Sequence, residues 1–363
     1  MKILLILILI HACSHKPYSK TQEIIDLVHK NSIAKVKNVE LVKNSGVDDQ
    51  SDEFYKKFLK EIGGAHSVYI PKSLAVDGIS GARFNCKKTL SSIKGHTLNN
   101  IGIVRVPALF NFESTSTCSK EYVAQLTKVI HNLDKINVNG WVIDLRFNNG
   151  GNMYPMLAGL SPLLPKGVLG YFINKKNKKI GWKHDNGKIF LGSEKVVQNS
   201  NHFKLKSKKR IAILAGSWTG SSGEFVLVSF LKSKDVKFFG EPTYGFTTGN
   251  EIFKLKDGSM VALTTTFAAD KEGKSIRGKI KPDQTIDLKK KVRLIVNEII
   301  NSSYFSKFPW LTYAIEPYIQ IVIVGLLANF CTMPFLVGRA IIFILWKILS
   351  TNYQYISYIF SAS

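Results

Sequence analysis

The chain has 363 residues, of which 45% are hydrophobic and 21% charged, a balance that excludes disorder and suits one large domain or two smaller ones. Its 50 Lys and Arg against 26 Asp and Glu leave a net charge of +24, which favours anionic surfaces. No finger, zipper or paired-cysteine zinc spacing accompanies that charge, so nucleic acid is not an expected partner. The basic runs Lys175–Lys179, Lys204–Arg210 and Lys289–Arg293 read as solvated turns and strand flanks, with anionic membrane contact as the other reading. Four cysteines (Cys13, Cys86, Cys118 and Cys331) are too few for a disulfide scaffold. Cys86 and Cys118 can pair in an export compartment, but two free buried thiols are the expectation.

In chain order, Lys2 and the apolar run Ile3–Ile10 have the shape of an export signal and are far shorter than a membrane span. Ile10-His11-Ala12-Cys13 resembles a bacterial lipoprotein cleavage signal, which makes 1–13 a signal segment and Cys13 the lipidation site. Residues 20–65 read as mostly helical: Ile24, Ile25, Leu27 and Val28 fall roughly on one stripe. Phe54, Phe58, Leu59 and Ile62 form a cleaner one that stops at Gly63-Gly64. A strand is expected over 100–106 and a helix over 120–133. Short apolar strands follow at 141–145, 211–215 and 236–239, with a helix from about Ser221 to Leu231 after the second of them and Gly216. Two extended runs around Lys256-Asp257-Gly258 predict a hairpin. This alternation means an α/β fold with helices covering a largely parallel sheet.

Tyr318 to Gly338 carries no charged residue, which predicts one membrane-spanning helix; a second apolar stretch from about 340 to 358 would be interfacial. A buried helical hairpin is the alternative, and the segment 301–363 is read as an anchor.

Two polar, glycine-rich stretches follow strands, where α/β sites collect. They are Arg146-Phe147-Asn148-Asn149-Gly150-Gly151-Asn152 and Gly216-Ser217-Trp218-Thr219-Gly220-Ser221-Ser222-Gly223-Glu224. Small residues there leave room for a substrate and let backbone N–H groups point inward. A helix starting at Ser221 adds free amides that favour negative charge. Residue chemistry alone does not separate Ser221 from Ser222 or Ser217, and a serine before a helix is ordinarily a cap.

Asp144-Leu145-Arg146-x-Asn148-x-Gly150-Gly151 resembles the strand-end motif of S41-type serine peptidases, the tail-specific or C-terminal-processing proteases. Thr219-Gly220-Ser221-Ser222-Gly223-Glu224 is similar to their nucleophile motif. Gly240-Glu241-Pro242-Thr243-x-Gly245-x-Thr247-Thr248-Gly249, Leu255-x-Asp257-Gly258 and Gly278-x-Ile280-x-Pro282-Asp283 follow in family order over roughly residues 55–300. The resemblance implies a ClpP/crotonase-like catalytic core, over 96–300, with Ser221 as nucleophile. It implies an oxyanion hole from backbone amides at Gly150, Gly151 and Ser222, and no metal or other cofactor. Asp144, Arg146 and Glu224 are expected to be structural.

The processing-protease branch takes its base from a lysine just after the glycine of the Thr-x-Gly segment; here that position is Phe246. Gly63-Gly64-Ala65-His66-Ser67 resembles the histidine motif of the lysine-lacking branch that includes the nisin-resistance peptidase, which makes His66 the expected base of a Ser–His dyad. A tricorn-like histidine would fall at Arg105, so that position offers no rival. His96 is a distant second choice, and His131 and His184 lack a partner motif. About 33 residues between His66 and Asn100 leave no room for a PDZ module, so a small helical region over 20–95 is expected to form the cleft with the core.

These resemblances imply a serine peptidase, exported and membrane-associated at the cell envelope, acting on exported peptides or protein C-terminal regions. The alternative is a catalytically inactive peptide- or ligand-binding envelope protein for immunity or sequestration, since retinoid-binding relatives carry ligands on the same scaffold. Substrate identity and oligomeric state are not readable from the chain.

Overall fold

Helix ends follow from capping chemistry. α1 (Lys20–Asn31) begins where the Ser19 hydroxyl accepts from the Gln22 N–H, and α2 (Asp52–Gly63) where Ser51 accepts from Phe54. α2 stops at Gly64, whose φ of 90° a side chain would resist. After β1 (Val68–Ile70) come the single turn α3 (Lys72–Ala75) and the short α4 (Cys86–Ser91). β2 (Lys94–Leu98) and β3 (Ile101–Arg105) lead to α5 (Thr117–Lys135), capped by Ser116. β4 (Gly140–Asp144) and α6 (Met153–Gly159) complete the first half.

Four strands then form a meander: β5 (Gly167–Asn174), β6 (Lys179–Asp185), β7 (Lys188–Leu191) and β8 (Glu194–Gln198). β9 (Arg210–Ala215), α7 (Ser222–Val228) and β10 (Val236–Gly240) return to the first sheet. The chain continues through β11 (Thr248–Lys254), β12 (Met260–Ala269), β13 (Ser275–Ile276) and β14 (Gln284–Thr285). This computed structural model describes residues 19–34, 51–75, 85–98, 100–111 and 113–286. The signal segment with Cys13, the basic run at 289–293 and the apolar tail with its candidate span lie outside them. Among the described residues no helix is long and apolar enough to cross a membrane.

The expected parallel sheet is present in the order β14-β10-β9-β4-β3-β2, with only β2 antiparallel to its neighbour. A second sheet, antiparallel throughout, was not expected. It runs β1-β12-β5-β6-β7-β8, with β11 and β13 also paired to β12. Helices α5, α6 and α7 share one continuous core with both sheets. It runs from Val104, Trp141 and Ile213 through Leu126, Leu157 and Leu227 to Leu169, Trp182 and Ile189. The hairpin around Lys256-Asp257-Gly258 is the β11–β12 pair. The final helix is shorter than the sequence suggests, ending at Val228 rather than near Leu231.

A separate cluster joins α1 and α2 to the second sheet: Ile24, Ile25 and Val28 meet Phe58, Leu59 and Ile62 over Tyr69, Val261 and Leu263. Lys20 pins its rim. Its ammonium reaches Asp257 at 2.7 Å and the Tyr69 hydroxyl at 3.0 Å, above the Tyr55 ring. The expectation of free thiols fails, because Cys86 and Cys118 form a disulfide between α4 and the first turn of α5. Cα atoms 6.0 Å apart are within the reach of such a bond.

Candidate active site

β4 and β9 are adjacent parallel strands, so the loops leaving their carboxyl ends lie side by side. The first loop is fixed by a buried fork. Arg146 donates from Nε to Asp144 Oδ1 and from Nη2 to Oδ2, both at 2.9 Å, while Arg105 stands 3.5 Å from Oδ2. Burial pushes the Asp144 carboxyl up, but the two guanidinium groups outweigh it and hold the group below the usual carboxylate range. Asn148, also buried, donates to the Val106 carbonyl at 3.1 Å and accepts from the Gly150 N–H at 3.1 Å.

Gly150 and Gly151 take φ of 119° and 102°. A Cβ on Gly151 would lie 2.1 Å from the Leu109 carbonyl oxygen, and one on Gly150 would lie 2.9 Å from Ser221 Cβ. Glycine is needed at both positions.

The second loop ends in Ser221, which has φ 52° and ψ −121°. A non-glycine residue there is strained, and such strain concentrates where a side chain must be presented. The geometry separates the three candidate serines. Ser222 is buried and donates to the Gly151 carbonyl at 2.5 Å; Ser217 is exposed on the loop; Ser221, half-buried, has its side chain beside Gly150. The N–H groups of Gly151 and Ser222 have no hydrogen-bond partner among the described residues, whereas that of Gly150 is already given to Asn148.

Glu224 organises what surrounds the serine. Its buried carboxylate accepts from the Ser221 N–H at 2.9 Å, the Thr243 hydroxyl at 2.5 Å and the Gly245 N–H at 2.9 Å. Burial raises this carboxyl above its ordinary range against the pull of those bonds. Through it, the start of α7 is tied to the segment 243–246, and Tyr244 N–H adds a bond to the Thr219 carbonyl.

That segment carries Phe246 to His66. The two rings stack with centroids 4.4 Å apart and 15° between planes. His66 leaves α2 just past Gly64. Its neighbour Ser67 anchors the turn, donating to the Gly63 carbonyl at 2.6 Å and accepting from the Thr264 N–H at 3.0 Å. Asn250 donates to the His66 carbonyl at 2.8 Å, and His66 Nδ1 lies 2.7 Å from Thr248 Oγ1. Burial pushes the imidazole down to about 4, opposed by the bond to Thr248. No hydrogen bond joins Ser221 Oγ to the His66 ring; the structure links them through Glu224, the 243–246 segment and Phe246.

His96 lies on edge strand β2, His131 packs on Phe203, and His184 is bonded to the Pro165 carbonyl. Four aromatic residues that the motif reading passed over flank the serine loop. Trp218 is 67% exposed, Tyr244 is 54% exposed, and Phe110 and Phe147 are also open to solvent. Large exposed aromatics beside a small-residue turn are the signal that marks them.

The peptidase family S41 model matches residues 100–286. The chain is 33% identical over 237 residues to the nisin-resistance protein of Lactococcus lactis subsp. lactis, covering 65% of this chain and 70% of that one. It is 28% identical over 191 residues to the carboxy-terminal processing protease CtpA of Bacillus subtilis, covering 52% of this chain and 36% of that protein. The fold is similar to that of a lipoprotein from Streptococcus agalactiae, with a TM-score of 0.61 and 26% identity over 79% of this chain and 95% of that one. With matches to half of its length and to two loops that meet at one serine, the chain belongs to peptidase family S41.

Proposed function

We propose that the protein is a serine peptidase that cleaves exported peptides or the C-terminal regions of exported proteins through a Ser221–His66 dyad. The observation that carries this reading is the strained Ser221, presented beside Gly150, with the Gly151 and Ser222 backbone N–H groups having no partner among the described residues. In the tautomer that donates Nδ1–H to Thr248, His66 keeps a lone pair on Nε2. Nε2 takes the proton of Ser221 Oγ as the oxygen attacks a peptide carbonyl. The Gly151 and Ser222 N–H groups receive the oxyanion. The proton passes to the leaving amine, the C–N bond breaks, and water releases the acyl group by the same route. Base and nucleophile often close to bonding distance only with substrate present.

The substrate class is supported by the relatives, whose names refer to nisin resistance and to carboxy-terminal processing. Export is supported by the signal-like start and by the Cys86–Cys118 bond, which belongs to oxidising compartments. A membrane-associated envelope position follows the likeness to a streptococcal lipoprotein. In the same reading Cys13 carries the lipid, α1 and α2 belong to a helical cap region over 20–95 beside the catalytic domain, and the tail is the anchor.

A second reading, peptide binding without cleavage, is favoured by two observations: Phe246 occupies the family's lysine position, and Ser221 and His66 share no hydrogen bond. Incubating the protein and its Ser221→Ala and His66→Ala variants with peptides bearing free or blocked C-termini separates the two. Products from wild type alone support the dyad. Peptide retention without products, by a folded wild type, supports the binder.

A further inference from the structure

The run Lys204–Arg210 does not lie idle on the surface. It borders a cavity of about 680 Å³ at the opposite end of the parallel sheet from Ser221. Trp141, Ile211 and Val236 stand at the starts of β4, β9 and β10 and form one wall. The catalytic loops leave the other ends of those strands, about 13–17 Å away at the usual rise per residue. Leu163, Phe203 and Leu205 complete an apolar lining. Around it stand Lys166, Lys204, Lys208, Lys209, Lys234 and Lys271, against the single acidic residue Asp235. Lys166 is paired with Asp185 and Lys208 with Asp235. The other four lysines have no ion pair among the described residues.

Two residues of the lining also carry donors that are buried and unpartnered. Trp141 is 1% exposed, and its Nε1 has no hydrogen-bond acceptor; Ser233 Oγ is likewise buried and unmatched. A Cβ on Gly102 would meet Cε3 and Cζ3 of Trp141 at 2.9 Å, so the benzo edge of the indole faces β3. Its Nε1 edge is therefore turned toward β9, where the register partner Ile211 lines the cavity. The two histidines of the wall are engaged within the protein: His184 is bonded to the Pro165 carbonyl and to the Gly187 N–H, and His202 to Ser161.

We infer that this cavity binds an amphiphilic anion, with a short aliphatic body against Trp141, Leu163 and Phe203 and a phosphate or carboxylate head among the lysines, independently of the Ser221 site. The volume falls within the range of about 300–1,000 Å³ usual for small-ligand sites. Apolar walls alone would admit a neutral hydrocarbon, and lysines alone would hold any small anion; the combination selects a molecule having both parts.

The test is titration of the full-length protein with octyl phosphate, inorganic phosphate and 1-octanol, all below micellar concentration, followed by calorimetry. Octyl phosphate is expected to bind saturably, at least about tenfold more tightly than either fragment, because both the chain and the head contribute. The Lys204→Glu/Lys209→Glu/Lys271→Glu variant should weaken it by about tenfold or more. The chain has five tryptophans, so a Trp141→Phe variant assigns one indole N–H resonance, and that resonance should move as the wild type is titrated. Inorganic phosphate binding as tightly as octyl phosphate would reduce the site to a surface charge effect. An unmoved Trp141 resonance, or no saturable binding, would overturn the proposal without touching the reading of Ser221.

Discussion

The imidazole of His66 lies flat on the ring of Phe246, 4.4 Å from centroid to centroid, at the position where the processing proteases carry their lysine. The aromatic ring cannot accept a proton. It covers one face of the histidine, helps dehydrate it and fixes its plane, while Thr248 fixes its rotation. Replacing Phe246 by Ala should free the imidazole and rehydrate it. A stacked pair contributes about 0.5–1.5 kcal/mol, so kcat/KM should fall by up to about tenfold. The His66 pKa should climb from about 4 toward 6.5, as read by NMR titration.

In the proposed dyad, the low pKa of His66 sets the pH profile. A base must be neutral to accept a proton, so kcat/KM should rise through a pH of about 4 and be level by neutrality, with no step near 6.5. Stability is linked in the same direction. Between about 4 and 6.5 the unfolded chain binds a proton that folded His66 refuses. Stability therefore rises with pH across that window and is lost as pH falls through it. Comparing urea unfolding at several pH values with that of His66→Gln isolates the contribution.

Gly150→Ala should abolish activity far more than folding. The new Cβ would stand 2.9 Å from Ser221 Cβ, at a φ of 119° that alanine resists. Displacing the nucleophile by about 1 Å costs about 100-fold in rate. Turnover measured beside thermal unfolding distinguishes this from simple misfolding.

Glu224→Gln tests the tie between the start of α7 and the 243–246 segment. A carboxylate accepts on both oxygens; an amide would turn an NH₂ group toward either the Ser221 N–H or the Thr243 and Gly245 donors. Leaving donors unmatched should cost about 1–3 kcal/mol, seen as a lower denaturant midpoint, with activity reduced in parallel.

Removing the bond between Cys86 and Cys118, which are 32 residues apart, by a double Cys→Ala change should lower stability by up to about 3–4 kcal/mol if loop entropy dominates. Wild type under reducing conditions should match that variant in denaturant unfolding.

The parallel half of the fold was legible because its strands are continuous apolar runs and its long helix repeats at a clean helical period, as in Val123, Leu126, Ile130 and Leu133. The meander β5–β8 was not, because its open face is lysine-rich and its buried positions alternate weakly between Trp182, Ile189 and Val197. One signal was there to be read: Asn186-Gly187, both at positive φ, is the two-residue turn that joins β6 and β7. In the site, glycines and serines could be placed by motif. What the motifs did not carry was the link from Glu224 through Thr243 and Gly245 to Phe246, since it depends on pairing across segments distant in sequence. Nor did cysteine spacing indicate the disulfide, because a pair 32 residues apart is set by the packing of α4 on α5.

The most direct test of the central claim is covalent labelling of the folded protein with a fluorophosphonate, followed by peptide mapping. The account predicts one adduct, on Ser221, formed quickly above pH 5 and slowed by about 100-fold or more in His66→Ala, since an unassisted serine hydroxyl is a weak nucleophile. An adduct on another serine, or labelling of Ser221 at an unchanged rate without His66, would contradict it.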